Sequence, residues 1–232
     1  MVIILYSGKP GSGKSYHIVK TIISYLRHGK DVYTNVELNK DRMSEKMRRH
    51  YFYVNFKDIS PEVFSTKRYK REGEALICID ESQLIFNNRF MEKYKQWLWF
   101  LSQHRKFGYD IILASQSDRM LERGVRSLIE FEIRHKPLWR IFPFFLLPFK
   151  VGLRIERWYG ERVGKTIIPF ILRKKYYSYY NTMQLMSSEE LHTEEIKTNQ
   201  RKLTTIATEW LKKVRNLDFG NLFASKKQEN VS

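Results

Sequence analysis

A single cysteine, Cys78, among 232 residues excludes an internal disulfide framework. The fold must therefore rest on buried apolar surface, and the expected setting is a reducing compartment that faces the cytosol. Acidic residues are in deficit as well: 25 Asp and Glu against 42 Lys and Arg leave a formal charge of +17. Such a field concentrates nucleotides, nucleic acid or anionic lipid without choosing among them. No histidine or cysteine cluster has metal-ligand spacing, and no set of nucleophile, histidine and carboxylate stands out. His104 beside Arg105 invites an acid–base role, but an isolated histidine reads more simply as structural.

Long apolar runs are missing too. The most lipid-like segment, Ile141 to Phe149, is about half of the roughly 20 residues that a bilayer requires. It contains Pro143 and Pro148 and lies between Arg140 and Lys150, so it reads as a buried or interfacial strand or loop. A membrane-surface segment is the alternative. Met1 to Tyr6 carries no basic region ahead of its apolar residues, so no secretory signal is expected.

What is present is enough for one α/β domain with an appendage, since 42% of residues are hydrophobic and 15% aromatic. Val2 to Tyr6 is a β-branched run that stops at glycine. Ser15 to Arg27 then spaces Ile18, Ile22, Ile23 and Leu26 as a helix does. Asp31 to Val36, Tyr51 to Val54, Ala75 to Ile79 and Asp110 to Ala114 read as further strands. Arg42 to Arg49 and Glu92 to Lys106 read as helices, the latter with Tyr94, Trp97, Leu98 and Leu101 on one stripe. This alternation predicts a P-loop NTPase fold, with a mainly parallel sheet flanked by helices.

After Leu128 the pattern becomes strand-rich, at Glu130 to Arg134, Val151 to Tyr159 and Thr166 to Leu172. Gly160 and Gly164 bracket an expected hairpin turn. The chain thus divides into a core at 1–128, a β-rich extension of the same domain at 129–185, and a polar tail at 186–232. The tail holds one amphipathic stretch, Leu203 to Leu217, and is expected to be partly disordered.

Gly8-Lys9-Pro10-Gly11-Ser12-Gly13-Lys14-Ser15 has glycine, four residues, glycine, lysine and serine, set between a strand and a helix. Glycines allow positive φ and close backbone approach, so amides can converge on phosphate oxygens while the next helix adds its positive end. Gly8 through Ser15, with Tyr16, are the expected nucleotide contacts. Lys14 would neutralise the β and γ phosphates, and the Ser15 hydroxyl would take one position around Mg2+. The bland alternative is a glycine turn that happens to carry Lys-Ser. A second element weighs against it: the apolar run Leu76 to Ile79 ends in Asp80 and Glu81, at the strand end where α/β sheets hold ligands. Asp80 would hold Mg2+ through water, and Glu81 would polarise the attacking water. A solvated pair at a helix N-terminus is the plainer reading.

A third strand, Asp110 to Ser115, ends in Gln116, which could hydrogen-bond the γ-phosphate or the lytic water. Among Arg105, Arg119, Arg123 and Arg126, the pair Arg105 and Arg126 is the preferred source of a finger into a neighbouring subunit. Any one of them alone reads as a solvated surface residue. A small-molecule kinase is disfavoured because no arginine-rich lid is visible.

These residues resemble the zonular occludens toxin family, which takes in the assembly ATPases of filamentous phages. The likeness rests on Ile4-Leu-Tyr-Ser-Gly-Lys-Pro-Gly-Ser-Gly-Lys-Ser15, Ile77-Cys-Ile-Asp-Glu81, the stretch from His104-Arg105 to Gln116, and Tyr179-Tyr180-Asn181-Thr182. It covers about residues 1 to 185. The resemblance implies an ATP- and Mg2+-dependent ATPase, working as a homo-oligomeric ring at the cytoplasmic side of the host inner membrane. Its implied partners are phage or host membrane proteins and single-stranded DNA or coat protein. Family members normally carry a membrane-spanning helix after the ATPase region, and none follows Thr182 here. The expected attachment is therefore peripheral, through a partner or through Lys136, Arg140, Lys150, Arg154 and Arg157 on anionic headgroups. The alternative function is a DNA-translocating or packaging motor, with Tyr and Trp among Lys and Arg stacking on bases.

Overall fold

The central strands bury nearly all of their side chains, so the sheet they form must be covered on both faces. The structure is a computed structural model that describes residues 1–86, 91–141, 146, 148–160 and 164–180. The side chains of 91–93 fall outside that description, as do the Asn181-Thr182 pair, Leu203 to Leu217 and the rest of the expected tail. The elements run β1 (Ile3–Ser7), α1 (Lys14–Arg27), β2 (Asp31–Thr34), α2 (Glu45–Arg49), β3 (Tyr51–Tyr53), α3 (Pro61–Ser65) and β4 (Ala75–Ile79). They continue as α4 (Met91–Phe107), β5 (Tyr109–Ser115), α5 (Arg123–Ser127), β6 (Phe131–Pro137), β7 (Val151–Trp158), β8 (Thr166–Ile171) and α6 (Lys174–Tyr177).

Eight strands form one sheet in the order β3-β2-β4-β5-β1-β6-β7-β8. The first six in that order are parallel, and β7 and β8 are antiparallel additions on the β6 side. The strand-rich segment after Leu128 thus continues the same sheet. A helix between two parallel strands must cross one face, and here the crossovers take both. Ile77, Ile79, Ile111 and Leu113 face Phe64 of α3, Trp97, Phe100 and Leu101 of α4 and Val125 of α5. Leu76, Cys78, Ile112 and Ala114 face Ile18, Ile22 and Leu26 of α1, Met47 of α2 and Tyr176 of α6. Cover on both faces is why β4 is buried at all five positions and reads as an unbroken apolar run.

Observed element ends differ from the sequence reading by a few residues at most places. The short α3, α5 and α6, of five, five and four residues, were not expected. Segments that short hold too little of a 3.6-residue period to stand out, and tertiary packing stabilises them. Strand direction puts the carboxyl ends of β1, β2, β4, β5, β6 and β8 along one edge. The glycine loop leaves β1 at that edge.

Candidate functional site

The loop between β1 and α1 takes positive φ at Gly8 (147°), Gly11 (70°) and Gly13 (99°). A Cβ on Gly8 would lie 2.6 Å from the His135 carbonyl oxygen and 2.7 Å from Ser12 Oγ, so a larger residue would push the loop off β6. Gly13, in left-handed conformation, forms the N-cap of α1 without any side-chain cap, and the first turn holds no acidic residue. The orphan amides and positive end of α1 are therefore left to an anion. Ser12 Oγ is buried without a hydrogen-bond partner among the described residues, a further unmet polar atom in this cradle.

Lys14 is buried, and its Nζ donates to the Gly8 carbonyl at 2.8 Å, so the side chain curls back over the loop that carries it. Burial lowers its pKa, and Asp80 and Glu81 oppose that shift. Ser15 Oγ donates to Asp80 Oδ2 at 3.2 Å, which joins the start of α1 to the end of β4. Asp80 is pushed above the usual carboxylate range by burial and by Glu81, with Lys14 and Ser15 working against it. A buried carboxylate whose charge is poorly matched, beside a hydroxyl, is a donor set that suits a hard divalent cation.

Glu81 adopts φ 49° and ψ 42°, and it is the one non-glycine residue with positive φ among those described. Backbone held there costs about 1–3 kcal/mol and persists where the surroundings impose it. The surroundings are identifiable. Asp80 Oδ1 accepts from the Glu81 amide at 2.9 Å, Gln83 Nε2 donates to the Glu81 carboxylate, and Ser82 Oγ donates to the Ala114 carbonyl at 2.9 Å. Asn35, at the end of β2, donates from Nδ2 to the Asp80 carbonyl at 2.9 Å and accepts the Asp80 amide at 2.8 Å. This two-way clamp fixes the acid pair, and sequence reading missed it. The available signal was an Asn near the carboxyl end of an expected strand, which the structure places just after β2 at the same edge as the loop.

Gln116 follows β5, between the strands that bear the loop and the acid pair, and is exposed. The arginines fall elsewhere than in this chain's own site. Arg105 ends α4, which leads into the start of β5, and its Nη2 pairs with Glu130 at 2.9 Å just before β6. It lies at the amino edge of the sheet, across about 16 Å of strand from the loop. Arg126 is close to Tyr159, at the same far edge. Neither reaches its own chain's loop, so a finger role for either requires a neighbouring subunit. The guanidinium that does reach the loop belongs to Arg140, whose Nη2 lies 3.4 Å from the Pro10 carbonyl. His104 is buried at the far edge, with Nδ1 2.7 Å from the Leu101 carbonyl, which is a structural role. The Tyr16 side chain is also committed to packing: it is 3% exposed among Phe170, Tyr176 and Tyr177, which leaves its backbone for phosphate.

Under the loop lies Glu132, which is 0% exposed. Ser7, Arg134 and Arg157 all donate to it, with Arg157 Nε at 2.6 Å and Arg134 Nε at 3.3 Å. Because Ser7 directly precedes Gly8, this network sets the point from which the loop departs. No helix among the described residues is long and apolar enough to cross a membrane, and no group of three or more His, Cys, Asp or Glu among them could hold a metal ion.

A parallel sheet wound on both faces, with a phosphate-binding loop and an acid pair on neighbouring carboxyl ends, defines a P-loop nucleoside triphosphatase. The zonular occludens toxin (Zot) family profile matches residues 2–146, and the chain belongs to that family. The N-terminal domain of zonular occludens toxin from Neisseria meningitidis is similar in fold, with a TM-score of 0.53 and 18% identity over 78% of this chain and 98% of that one. A genome packaging NTPase from Sulfolobus turreted icosahedral virus 2 aligns with a TM-score of 0.48 and 14% identity, over 72% and 96% of the two chains. The flagellar accessory protein FlaH from Methanocaldococcus jannaschii aligns at 0.49 and 14%, over 74% and 87%. No curated protein matches the chain by sequence.

Proposed function

We propose that this protein is an Mg2+-dependent ATPase that powers assembly and extrusion of a filamentous phage at the host membrane. The observation that carries the hydrolytic reading is the meeting of Lys14, Ser15, Asp80 and Glu81 at one sheet edge, with Ser15 and Asp80 3.2 Å apart. Gly8 to Ser15 would hold the phosphates. Ser15 and Asp80 would hold the cation, which supplies charge neutralisation to the leaving phosphates. Glu81 would take a proton from water, and Gln116 would orient that water. Arg140 approaches the loop within the chain, while Arg105 or Arg126 would complete a neighbour's site in a ring.

Family membership supports the phage role. A surface feature supports the membrane: Ile141, Leu146 and Phe149 are 55%, 67% and 44% exposed beside Arg140 and Lys150. Apolar side chains fenced by cations suit an anionic bilayer surface. This tip follows β6 and lies next to Pro10, so lipid contact and the nucleotide loop share one edge. Phosphate release by the purified protein should rise with protein concentration and with vesicles containing phosphatidylglycerol. A rate indifferent to both would contradict the ring at the membrane.

DNA translocation is the second reading. Phe52 and Tyr53 are exposed on edge strand β3, and Lys67 Nζ lies 5.6 Å from the Phe52 ring centroid, an arrangement that suits stacked bases. Stimulation by single-stranded DNA without vesicles would favour it.

Lys14→Ala removes the charge that faces the β and γ phosphates. We expect a loss of about 2–3 kcal/mol in ATP binding, the usual scale for a charge-assisted hydrogen bond. Calorimetric titration with ATP and magnesium reads this as a Kd raised about 30- to 150-fold. An unchanged Kd would remove Lys14 from the site.

A further inference from the structure

The phosphate cradle leaves one end of a nucleotide unassigned. Loop amides hold the α and β phosphates at the start of α1, so ribose and base must extend past the first turn of that helix, over Tyr16. What lies on Tyr16 is the segment 172–180, which leaves β8 and crosses the loop edge of the sheet. It is fastened on both sides. The Tyr16 hydroxyl donates to the Ile171 carbonyl at 3.3 Å and accepts the Arg173 amide at 3.3 Å, and the Asn39 amide donates to the Tyr179 carbonyl at 2.7 Å.

The segment carries four tyrosines, Tyr176, Tyr177, Tyr179 and Tyr180. Tyr176 meets Tyr16 edge-on at 5.5 Å, Tyr177 lies 5.9 Å from Tyr16, and Tyr177 and Tyr180 stack at 5.8 Å with 22° between their planes. Tyr176 is buried and serves as packing, whereas Tyr177 and Tyr180 remain partly exposed. Burial raises the Tyr180 hydroxyl well above its usual pKa, and Tyr177, Asp80 and Tyr16 add to that. The ring therefore stands close to both the helix start and the acid pair. Two near-parallel rings, partly exposed and fastened beside the expected path of a nucleotide, cost little entropy to stack on.

We propose that Tyr177 and Tyr180 form the base-binding subsite of this protein and hold the base of a nucleoside triphosphate by stacking on the exposed side of their pair. The proposal rests on the nucleotide reading of the glycine loop. Every base has a π-face, so stacking alone does not choose among bases. ATP and GTP should bind with Kd values within about threefold of one another.

The test compares ATP with inorganic triphosphate, which fills the phosphate cradle and has no base. Titrations with magnesium present would use the full chain, the double variant Tyr177→Ala/Tyr180→Ala, and Tyr177→Phe/Tyr180→Phe as the control that keeps the rings. The alanine variant should lose ATP affinity about tenfold while inorganic triphosphate binds as before, and the phenylalanine variant should bind both normally. Equal loss for both ligands would overturn the proposal, since it marks a disturbed cradle in place of a lost base contact. Unchanged ATP affinity in the alanine variant would overturn it while leaving the nucleotide reading standing. Failure of the unaltered chain to bind either ligand would overturn the glycine-loop reading and this subsite with it.

Discussion

Glu81→Gln should leave ATP and magnesium bound while slowing phosphate release about 10²- to 10⁴-fold, the range in which a positioned general base acts. The change is nearly isosteric. It retains an oxygen that can accept from Gln83, so it removes charge and basicity while keeping shape. Binding should survive because the loop amides, Lys14 and the Ser15–Asp80 pair are untouched. Single-turnover phosphate release, with the Kd measured in parallel, checks both halves. A variant that hydrolyses at the parent rate would take Glu81 out of the chemistry. A variant that neither binds nor turns over would make it a structural member of the acid pair.

The backbone at Glu81 offers an independent check. Glycine enters left-handed φ without Cβ strain, so Glu81→Gly should keep or raise the melting temperature while turnover is lost. Stability gained at the expense of activity is what a side chain held in an unfavourable conformation for its chemistry would give.

The second large effect concerns the floor of the site. Arg157→Ala takes the closest cation from Glu132, a carboxylate with 0% exposure that Arg134 and Ser7 cannot fully compensate. Breaking a buried pair from one end costs about 3–5 kcal/mol, because it leaves charge without a partner. Denaturant titration should show a loss on that scale. The double variant Glu132→Leu/Arg157→Leu should recover much of it, since apolar residues of similar bulk can replace a buried ion pair. Arg157 is itself only partly exposed, with a side-chain exposure of 27%, so it cannot be treated as a surface residue whose loss is free. A loss under 1 kcal/mol would mean that Glu132 finds other donors. Because Ser7 shares this carboxylate and leads into Gly8, a fall in ATP affinity should accompany the loss of stability.

Phosphate-binding loop, acid strand and crossover pattern were legible because each is local. A glycine loop is written in eight consecutive residues, and β4 declares its double-sided burial by five apolar residues in a row. The P-loop fold and the family followed from these. Arginine placement was not legible: Arg105 is only four residues from the start of β5 in sequence, yet strand direction sets it at the edge away from the loop. A one-dimensional reading sees that proximity and misses the direction. The burial of the Tyr16 side chain was not legible for a related reason, since Phe170 and Tyr176, the residues that bury it, come more than 150 positions later.

By itself, the sequence determined that the chain carries a phosphate cradle with an acidic partner on a parallel sheet, because amide geometry, glycine freedom and strand burial are short-range properties. Tertiary structure decided the rest: Asn35 clamping Asp80, Glu132 seated beneath Ser7, Arg140 meeting Pro10 and the tyrosine segment laid across α1. Those contacts join residues from 45 to more than 150 positions apart. Only the packing of the folded sheet, where strands distant in sequence become neighbours, can bring such groups within hydrogen-bond reach.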